Sequence, residues 1–424
     1  MSTVLPEHKS HYAELVEQAI HQRNQRQQKS GLQKSAMEGL FESLPLLETV
    51  IAELHRVNEH IKVDDDLVAD AAADYQDIGQ QLIRKLGWQQ DDISVVPQGS
   101  SSTKTLIRSP TAEKFDIDAV CKVVLNRSEV WDPIGFFNQF QPALEGWTAT
   151  AKNRCWRIEE LSHRYYIEFT PSVPLALIPA NMLESVRYRR AARYGETALA
   201  VVDRFTESWK TSNPEGMTHW VNDQSKRQLV LVSILEKSAT RAMDGIAPVP
   251  EQVVPLSDTL RVAIRLFKRH RDMMVSRGLL DGDAKPISII IVTLLTQCYE
   301  GLADKGQYYQ NPVELLRDLA ELMPGMVEQR RGQWWIENPT VAEENFAERW
   351  SLDKGQRKAA FDNWCEQLEE DMRGILDASS DQVMRERIRA AFGTVSSSAP
   401  LPPSQGLATQ VPTRPITAPA KGLA

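Results

Sequence analysis

The 424-residue chain contains no stretch of about eighteen uninterrupted apolar residues, the minimum length of a membrane-spanning helix. Its first residues, MSTVLPEHKSHYAELVEQAI, also lack the apolar segment of a secretory signal peptide. The chain has few cysteines, and none of the four belongs to a CxxC motif, so neither a zinc knuckle nor a disulfide framework is expected. The sequence therefore predicts a cytoplasmic protein without membrane association.

The chain also lacks an excess of positive charge. The formal net charge is −8 and the sequence pI is about 5.6. Proteins that bind long duplex nucleic acid usually present a broad basic surface, so no such partner is expected, whereas small nucleotides accompanied by a metal ion remain compatible. The content of 42% hydrophobic and 25% charged residues indicates a globular protein, and the length indicates two to three packed units.

The last part of the chain departs from this composition. Residues 394–424 are rich in proline, serine and alanine, carry few charges and, from Ser396, contain no aromatic residue. Such a segment cannot bury enough apolar surface to offset the loss of chain entropy on folding. The sequence predicts a disordered tail.

Hydrophobic periodicity divides the remainder into three regions. Helical spacing predicts an N-terminal helical region over residues 1–60, and the period changes at about residue 93. Short apolar runs then predict strands at 93–97, 115–125 and 164–177, within a core of residues 61–185. Residues 186–393 again show helical spacing, and a helix is predicted at 185–210, across the start of this region. The pattern indicates an α+β core beside a C-terminal helical lobe.

The segment FDIDAV, residues 115–120, places two carboxylates on one face of a predicted strand. Residues i and i+2 of a strand point the same way, so Asp116 and Asp118 project together. Two adjacent carboxylates repel each other unless a cation lies between them, and oxygen ligands suit Mg²⁺ or Mn²⁺. Asp116 and Asp118 are therefore candidate metal ligands, although an ordinary solvated strand edge would show the same pattern.

Two further features flank this pair. Glu168 lies among apolar residues of a later predicted strand and could complete a site for two metal ions, or it could face solvent. Gly99 and Ser100 precede the pair in the run GSSSTKT, where a glycine permits close approach and backbone N–H groups can hold phosphate oxygens. A phosphate held by this turn would lie beside a metal held by the strand.

Taken together, these motifs resemble the polymerase-β-type nucleotidyltransferase superfamily. The residues that carry the resemblance are Gly99-Ser100, Thr105, Asp116-x-Asp118 and Glu168. The closer resemblance is to the bacterial cGAS/DncV-like nucleotidyltransferases (CD-NTases), the cyclic-oligonucleotide synthases of CBASS anti-phage defence. Downstream segments NPEGMTHW, LFKRHRD, KPISIIIVTL and ENFAERW add to it.

The resemblance implies a fold and a set of roles. It implies a mixed-sheet nucleotidyltransferase core and a helical lobe on either side of a cleft, with nucleoside triphosphates as substrates. Asp116, Asp118 and Glu168 would bind two Mg²⁺ or Mn²⁺ ions, although most relatives have aspartate at the third position. Gly99, Ser100, Thr105, Lys268 and Ser288 would bind the triphosphate. Tyr165 or Tyr166 could stack on a nucleobase.

The sequence is also compatible with two alternative functions. One is another polymerase-β-type enzyme that adds nucleotides to an RNA, protein or small-molecule acceptor, and the other is an inactive nucleotide-binding regulatory module. For the tail, the resemblance implies a possible covalent conjugation of Ala424 by a fusion of a ubiquitin-activating and a conjugating enzyme. A frayed end without a role is the alternative reading.

Overall fold

The computed structural model describes residues 10–30, 44–111, 114–124, 130–159, 162, 164–183, 193–230, 252, 254–342 and 344–393. The tail predicted over 394–424, with Ala424, lies outside the described residues. Across the described part of the chain, no helix is both long and apolar enough to cross a membrane. All four cysteines are free thiols, which agrees with the expected absence of disulfides.

A seven-stranded mixed sheet forms one half of the molecule. Its strands are β1 (Ile93–Gln98), β2 (Phe115–Val123), β3 (Thr148–Ala151), β4 (Trp156–Glu159), β5 (Tyr165–Pro174), β6 (Leu199–Asp203) and β7 (Ser208–Ser212). The path β1-β2-β5-β4-β3 is extended by β6, which pairs with β5 and β7. Strands β2 and β5 run parallel, and the other pairs are antiparallel. The predicted α+β fold with a mixed sheet is confirmed.

The alternation of side chains along β2 explains why one face of this strand packs in a hydrophobic core while the other face holds the two candidate metal ligands. Ile117, Ala119 and Cys121 are fully buried on one face, where they join a core that includes Ile78 of the helix Asp65–Leu86. Asp116 and Asp118 therefore occupy the opposite face, because side chains alternate along a strand.

The second half of the molecule is helical. Its principal helices are His11–Ser30, Leu44–His60, Pro214–Ser225, Thr259–Ser276, Ser288–Asp304, Pro312–Leu322, Gln356–Leu376 and Asp381–Phe392. The helical half also has the short helix Glu348–Leu352 and a small hairpin that joins Glu328–Arg330 to Gln333–Trp335, whereas the short helices Gly99–Ser102, Pro133–Asn138 and Phe140–Ala143 belong to the sheet half.

The N-terminal helices pack in this helical half. A Cβ added at Gly301 would overlap the backbone oxygen of Tyr12 and the side chain of Val16, and one at Gly325 would overlap Ala19. The missing side chains thus let the first helix approach closely. The sequence separates a region 1–60 from the helical lobe, whereas in the structure both contribute to one core.

The sheet half extends beyond the predicted boundary at residue 185. Its hydrophobic core draws on residues from Val63 to Trp209, and β6 and β7 lie inside the range where a helix is predicted at 185–210. That helix prediction is wrong over 199–210. Every residue of β6 is buried, so the strand lacks the apolar-polar alternation by which a strand is recognised in a sequence.

Candidate active site

A cleft of about 730 Å³ separates the two halves. Asp116 and Asp118 line it from the sheet, and Lys268 and Ser288 line it from the helical half. The volume lies within the range usual for small-molecule sites, roughly 300–1,000 Å³. The structure therefore brings the predicted strand pair and the predicted phosphate-binding residues of the helical half to one cavity.

Gly99 makes the closest approach to the strand pair. It has φ +63°, in the left-handed region that favours glycine, and begins the short helix Gly99–Ser102 directly after β1. In the sheet, Gln98 is opposite Asp118, so the turn begins beside the second carboxylate. A Cβ at Gly99 would overlap Asp118 Oδ2 and lie 3.2 Å from its Cγ. This position requires glycine for both backbone conformation and space.

Lys268 connects the helical half to this turn. Its Nζ donates to Ser100 Oγ at 2.9 Å and to the Thr105 carbonyl oxygen at 2.9 Å. The side chain is 4% exposed. Burial and then the nearby Arg271 guanidinium lower the pKa of Lys268 to about 8, although Asp116 acts in the opposite direction.

Thr105 and Ser288 occupy different settings. Thr105 is fully buried, its hydroxyl pairs with that of Thr103 at 2.8 Å, and its N–H donates to the Ser100 carbonyl. Thr105 therefore stabilises the turn that begins at Gly99 from the buried side and does not line the cleft. Ser288 begins the helix Ser288–Asp304, lines the cleft, and accepts a hydrogen bond from Arg271 Nη1 at 3.2 Å.

Glu168 lies beside Asp118 in the sheet, because the two residues are opposite each other in the parallel pair β2 and β5. Its Oε1 accepts hydrogen bonds from Arg157 Nη2 at 2.7 Å and Nε at 3.1 Å. Its Oε2 lies 3.7 Å from the Cys155 thiol, which donates to it. The third predicted ligand is thus held by an arginine, a contact that the sequence does not indicate.

Among the described residues, no group of three or more His, Cys, Asp or Glu side chains is placed to hold a metal ion. The assignment of Asp116, Asp118 and Glu168 as joint metal ligands stays a prediction. The salt bridge from Arg157 involves Glu168 Oε1, and this arginine would compete with a cation for the same oxygen.

The carboxylate pair itself fits a cation. Burial, then the neighbouring Asp116 and Glu168 carboxylates, raise the pKa of Asp118 well above its ordinary value, while Lys268 acts against the shift. Carboxylate oxygens are the ligands that Mg²⁺ and Mn²⁺ take in proteins. The ionised form of Asp118 is thus disfavoured by burial and by its neighbours, and a bound cation would favour it.

On the helical wall of the cleft, two basic side chains were not among the predicted phosphate ligands. Arg271 lies one helical turn beyond Lys268, lines the cleft, and donates from Nη1 to the Pro286 carbonyl at 3.0 Å. Lys285 lines the same wall. The i, i+3 spacing from Lys268 places Arg271 on the same helix face, and this spacing is the signal in the sequence that could have identified it.

Of the two tyrosines considered for base stacking, Tyr166 lines the cleft and Tyr165 does not. Tyr165 is buried at 1% exposure, and its hydroxyl donates to Asp74 Oδ2 at 2.5 Å. The Arg157 guanidinium lies over the Tyr166 ring, 4.3 Å from its centroid. Tyr166 therefore has the face opposite this arginine as its candidate stacking surface.

The architecture matches known structures. The CD-NTase CdnG of Bradyrhizobium diazoefficiens, solved in complex with GTP, superposes with a TM-score of 0.54 at 18% identity, covering 81% of this chain and 94% of the other. CdnC of Escherichia coli, solved with ATP, gives a TM-score of 0.53 at 11% identity over 81% and 97% of the two chains. The chain has the CD-NTase fold. The fold implied by the sequence resemblance is confirmed.

A sequence relative extends the similarity. A c-di-GMP synthase of Roseivirga ehrenbergii is 24% identical to this CD-NTase-fold chain over 303 residues, which cover 71% of this chain and 73% of the relative. No protein-family model matches the chain.

Proposed function

We propose that the protein is a metal-dependent nucleotidyltransferase that joins nucleoside triphosphates into a cyclic di- or trinucleotide. The observation that carries the proposal is the convergence of Asp116, Asp118, Ser100 and Lys268 on one cleft. Carboxylates on one wall and a buried ammonium on the other are what a triphosphate and its cation require. The similarity to a c-di-GMP synthase and to a GTP-bound CD-NTase supports this class of reaction.

The residues of the cleft would have different roles in this reaction. Ser100 and Lys268 would bind the triphosphate, with Ser288 and Arg271 beside them, and would orient its α-phosphorus toward the acceptor hydroxyl. Glu168, oriented by Arg157 and adjacent to Asp118, would accept the proton of that hydroxyl at Oε2. Asp116 and Asp118 would hold Mg²⁺ or Mn²⁺, which would lower the pKa of the hydroxyl and neutralise charge on the leaving pyrophosphate.

We place this reaction in the cytosol, in anti-phage signalling of the CBASS type, with the cyclic nucleotide as second messenger. We also retain the proposal that Ala424 is conjugated to a target. Replacing Ala424 by a bulky residue should abolish conjugation in a host that also produces the fusion of a ubiquitin-activating and a conjugating enzyme. Unchanged conjugation would contradict that part of the proposal.

The proposed activity is tested by product analysis. We expect purified protein incubated with all four nucleoside triphosphates and Mg²⁺ or Mn²⁺ to give a phosphatase-resistant species that mass spectrometry identifies as a cyclic nucleotide. An elongated or modified acceptor would instead indicate another nucleotidyltransferase. If no resistant product forms under any condition, including with extract of infected cells, the proposal fails.

The buried ammonium of Lys268 predicts a pH dependence of nucleotide binding. Because burial lowers the pKa of Lys268 to about 8, the side chain loses its charge as the pH rises through that value. We expect the affinity for a non-hydrolysable GTP analogue, measured by calorimetry, to fall by about 5- to 10-fold between about pH 7 and 9. The Lys268→Met variant should bind weakly throughout and show little change with pH. An equal fall in that variant would assign the dependence to another group.

A further inference from the structure

Glu344 contributes a carboxylate to the cleft wall at the segment that follows the small hairpin. Its backbone is fixed at two points: the Asn338 N–H donates to the Glu344 carbonyl at 3.0 Å, and the Glu344 N–H donates to the Val341 carbonyl at 3.3 Å. Glu344 is therefore part of a formed turn, and its side chain has a defined anchor.

The side chain of Asn338 orients this carboxylate. Asn338 Oδ1 accepts from the backbone N–H of Thr340 at 2.8 Å, so this end of the amide must be the oxygen. The amide nitrogen Nδ2 then donates to Glu344 Oε2 at 2.7 Å. The buried asparagine thus occupies one oxygen of Glu344 and leaves Oε1 without a hydrogen-bond donor among the described residues.

The charge of Glu344 is incompletely compensated within the described part of the chain. Burial raises the pKa of the Glu344 carboxyl above its ordinary value, while the Asn338 hydrogen bond and the charges of Lys210 and Arg154 lower it by less. Arg154 is itself engaged with Asp203, at 3.0 Å between Nε and Oδ2. A partly desolvated carboxylate in a cleft favours a ligand that offers N–H donors.

The nucleobases differ in what they offer to such a group. An ionised carboxylate only accepts hydrogen bonds. On its Watson–Crick edge, guanine presents two adjacent donors, N1–H and the N2 amino group, which match the two oxygens of a carboxylate. Adenine presents one donor beside the acceptor N1, cytosine one donor beside an acceptor, and uracil one donor between two acceptors. Guanine therefore makes the most favourable contact.

We propose that Glu344 recognises the Watson–Crick edge of a guanine base and thereby makes a guanine nucleotide a preferred substrate. This inference rests on the proposed function, because it requires a nucleotide whose phosphates lie at Ser100 and Lys268 in the same cleft. Glu344 acts here as a specificity-determining residue, with Asn338 as its positioning residue.

The test measures equilibrium binding of GTP, ITP and ATP in an Asp118→Asn background, without divalent ions, so that no turnover occurs. ITP lacks only the N2 amino group. We expect the parent to bind GTP more tightly than ITP or ATP. Glu344→Gln should lower GTP affinity by about 10- to 100-fold, the usual effect of losing a hydrogen bond to a charged group. Its affinity for ATP should be unchanged or higher, because a glutamine side chain can pair with adenine in a bidentate manner.

The matched control is Glu348→Gln, which removes the same charge at an exposed neighbour outside the cleft lining. It should leave the GTP-to-ATP ratio unchanged. If Glu344→Gln leaves that ratio unchanged while the parent binds GTP, the inference is wrong and the proposed function stands. If the wild-type protein binds no nucleoside triphosphate even with Mn²⁺ present, the proposed function fails and the inference fails with it.

Discussion

Replacing Asp118 by asparagine is expected to abolish formation of the cyclic product while the folded protein becomes more resistant to heat. The loss of activity should be about 10³-fold or more, because the substitution removes one ligand of the catalytic cation. The charge stabilisation that this cation supplies is worth several kcal/mol. The gain in stability has a separate origin. The fold raises the pKa of Asp118, so the ionised carboxylate is disfavoured at neutral pH and a neutral side chain of the same shape relieves the repulsion.

Differential scanning fluorimetry without divalent ions measures the second effect. We expect a higher Tm for Asp118→Asn than for the parent, and a smaller further increase when Mn²⁺ is added, because ligand binding stabilises only a protein that retains its site. Asp91→Asn serves as the control, since Asp91 is exposed and outside the cleft lining. Retained synthesis, or a lower Tm for Asp118→Asn, would show that Asp118 does not have the role described.

The second large effect is expected for Gly99→Ala. The added Cβ would overlap Asp118 Oδ2, and the backbone would remain at φ +63°. We expect synthesis to fall by about 100-fold or more, because displacing a catalytic group by about 1 Å has an effect of this size. The left-handed backbone adds about 1–2 kcal/mol of strain.

The Gly87→Ala variant separates the effect of backbone strain from the effect of displacing Asp118. Gly87 ends the helix Asp65–Leu86 with φ +69°, and no atom lies within 4 Å of a Cβ built there. The two variants should lose comparable stability in urea unfolding, about 1–2 kcal/mol, but Gly87→Ala should retain synthesis. Equal loss of activity in both variants would mean that general destabilisation, and not contact with Asp118, explains the effect of Gly99→Ala.

The parts of the site that follow local rules could be predicted from the sequence. Asp116 and Asp118 share a face because strand geometry repeats every two residues, and Gly99 lies beside them because β1 and β2 are antiparallel neighbours. Lys268 is different, since 168 residues separate it from Ser100, and only the family resemblance indicated their proximity. Long-range proximity of this kind has no signature in local periodicity.

The contacts that the sequence did not reveal depend on strand register. Arg157 reaches Glu168 because β4 and β5 pair with these two residues opposite each other. A shift of one residue would turn Arg157 to the other face of the sheet, so no inspection of the sequence could assign the pair. The same limit applies to Glu344, whose orientation depends on Asn338 and Thr340 in a turn without regular periodicity.

Because the first helix packs in the helical half, the two halves do not correspond to two consecutive segments of the chain. Residues on both sides of the sheet half, from Tyr12 to Ile61 and from Met217 to Phe392, build the helical core together with Ile107, whereas residues from Val63 to Trp209 build the core of the sheet half. The sheet half is thus an insertion, and the helical half is discontinuous in sequence. A truncation that begins after residue 61 would remove part of the helical core. Within the described ranges, the chain passes from one core to the other between residues 61 and 63 and returns between 209 and 217, and both passages must move if the cleft opens.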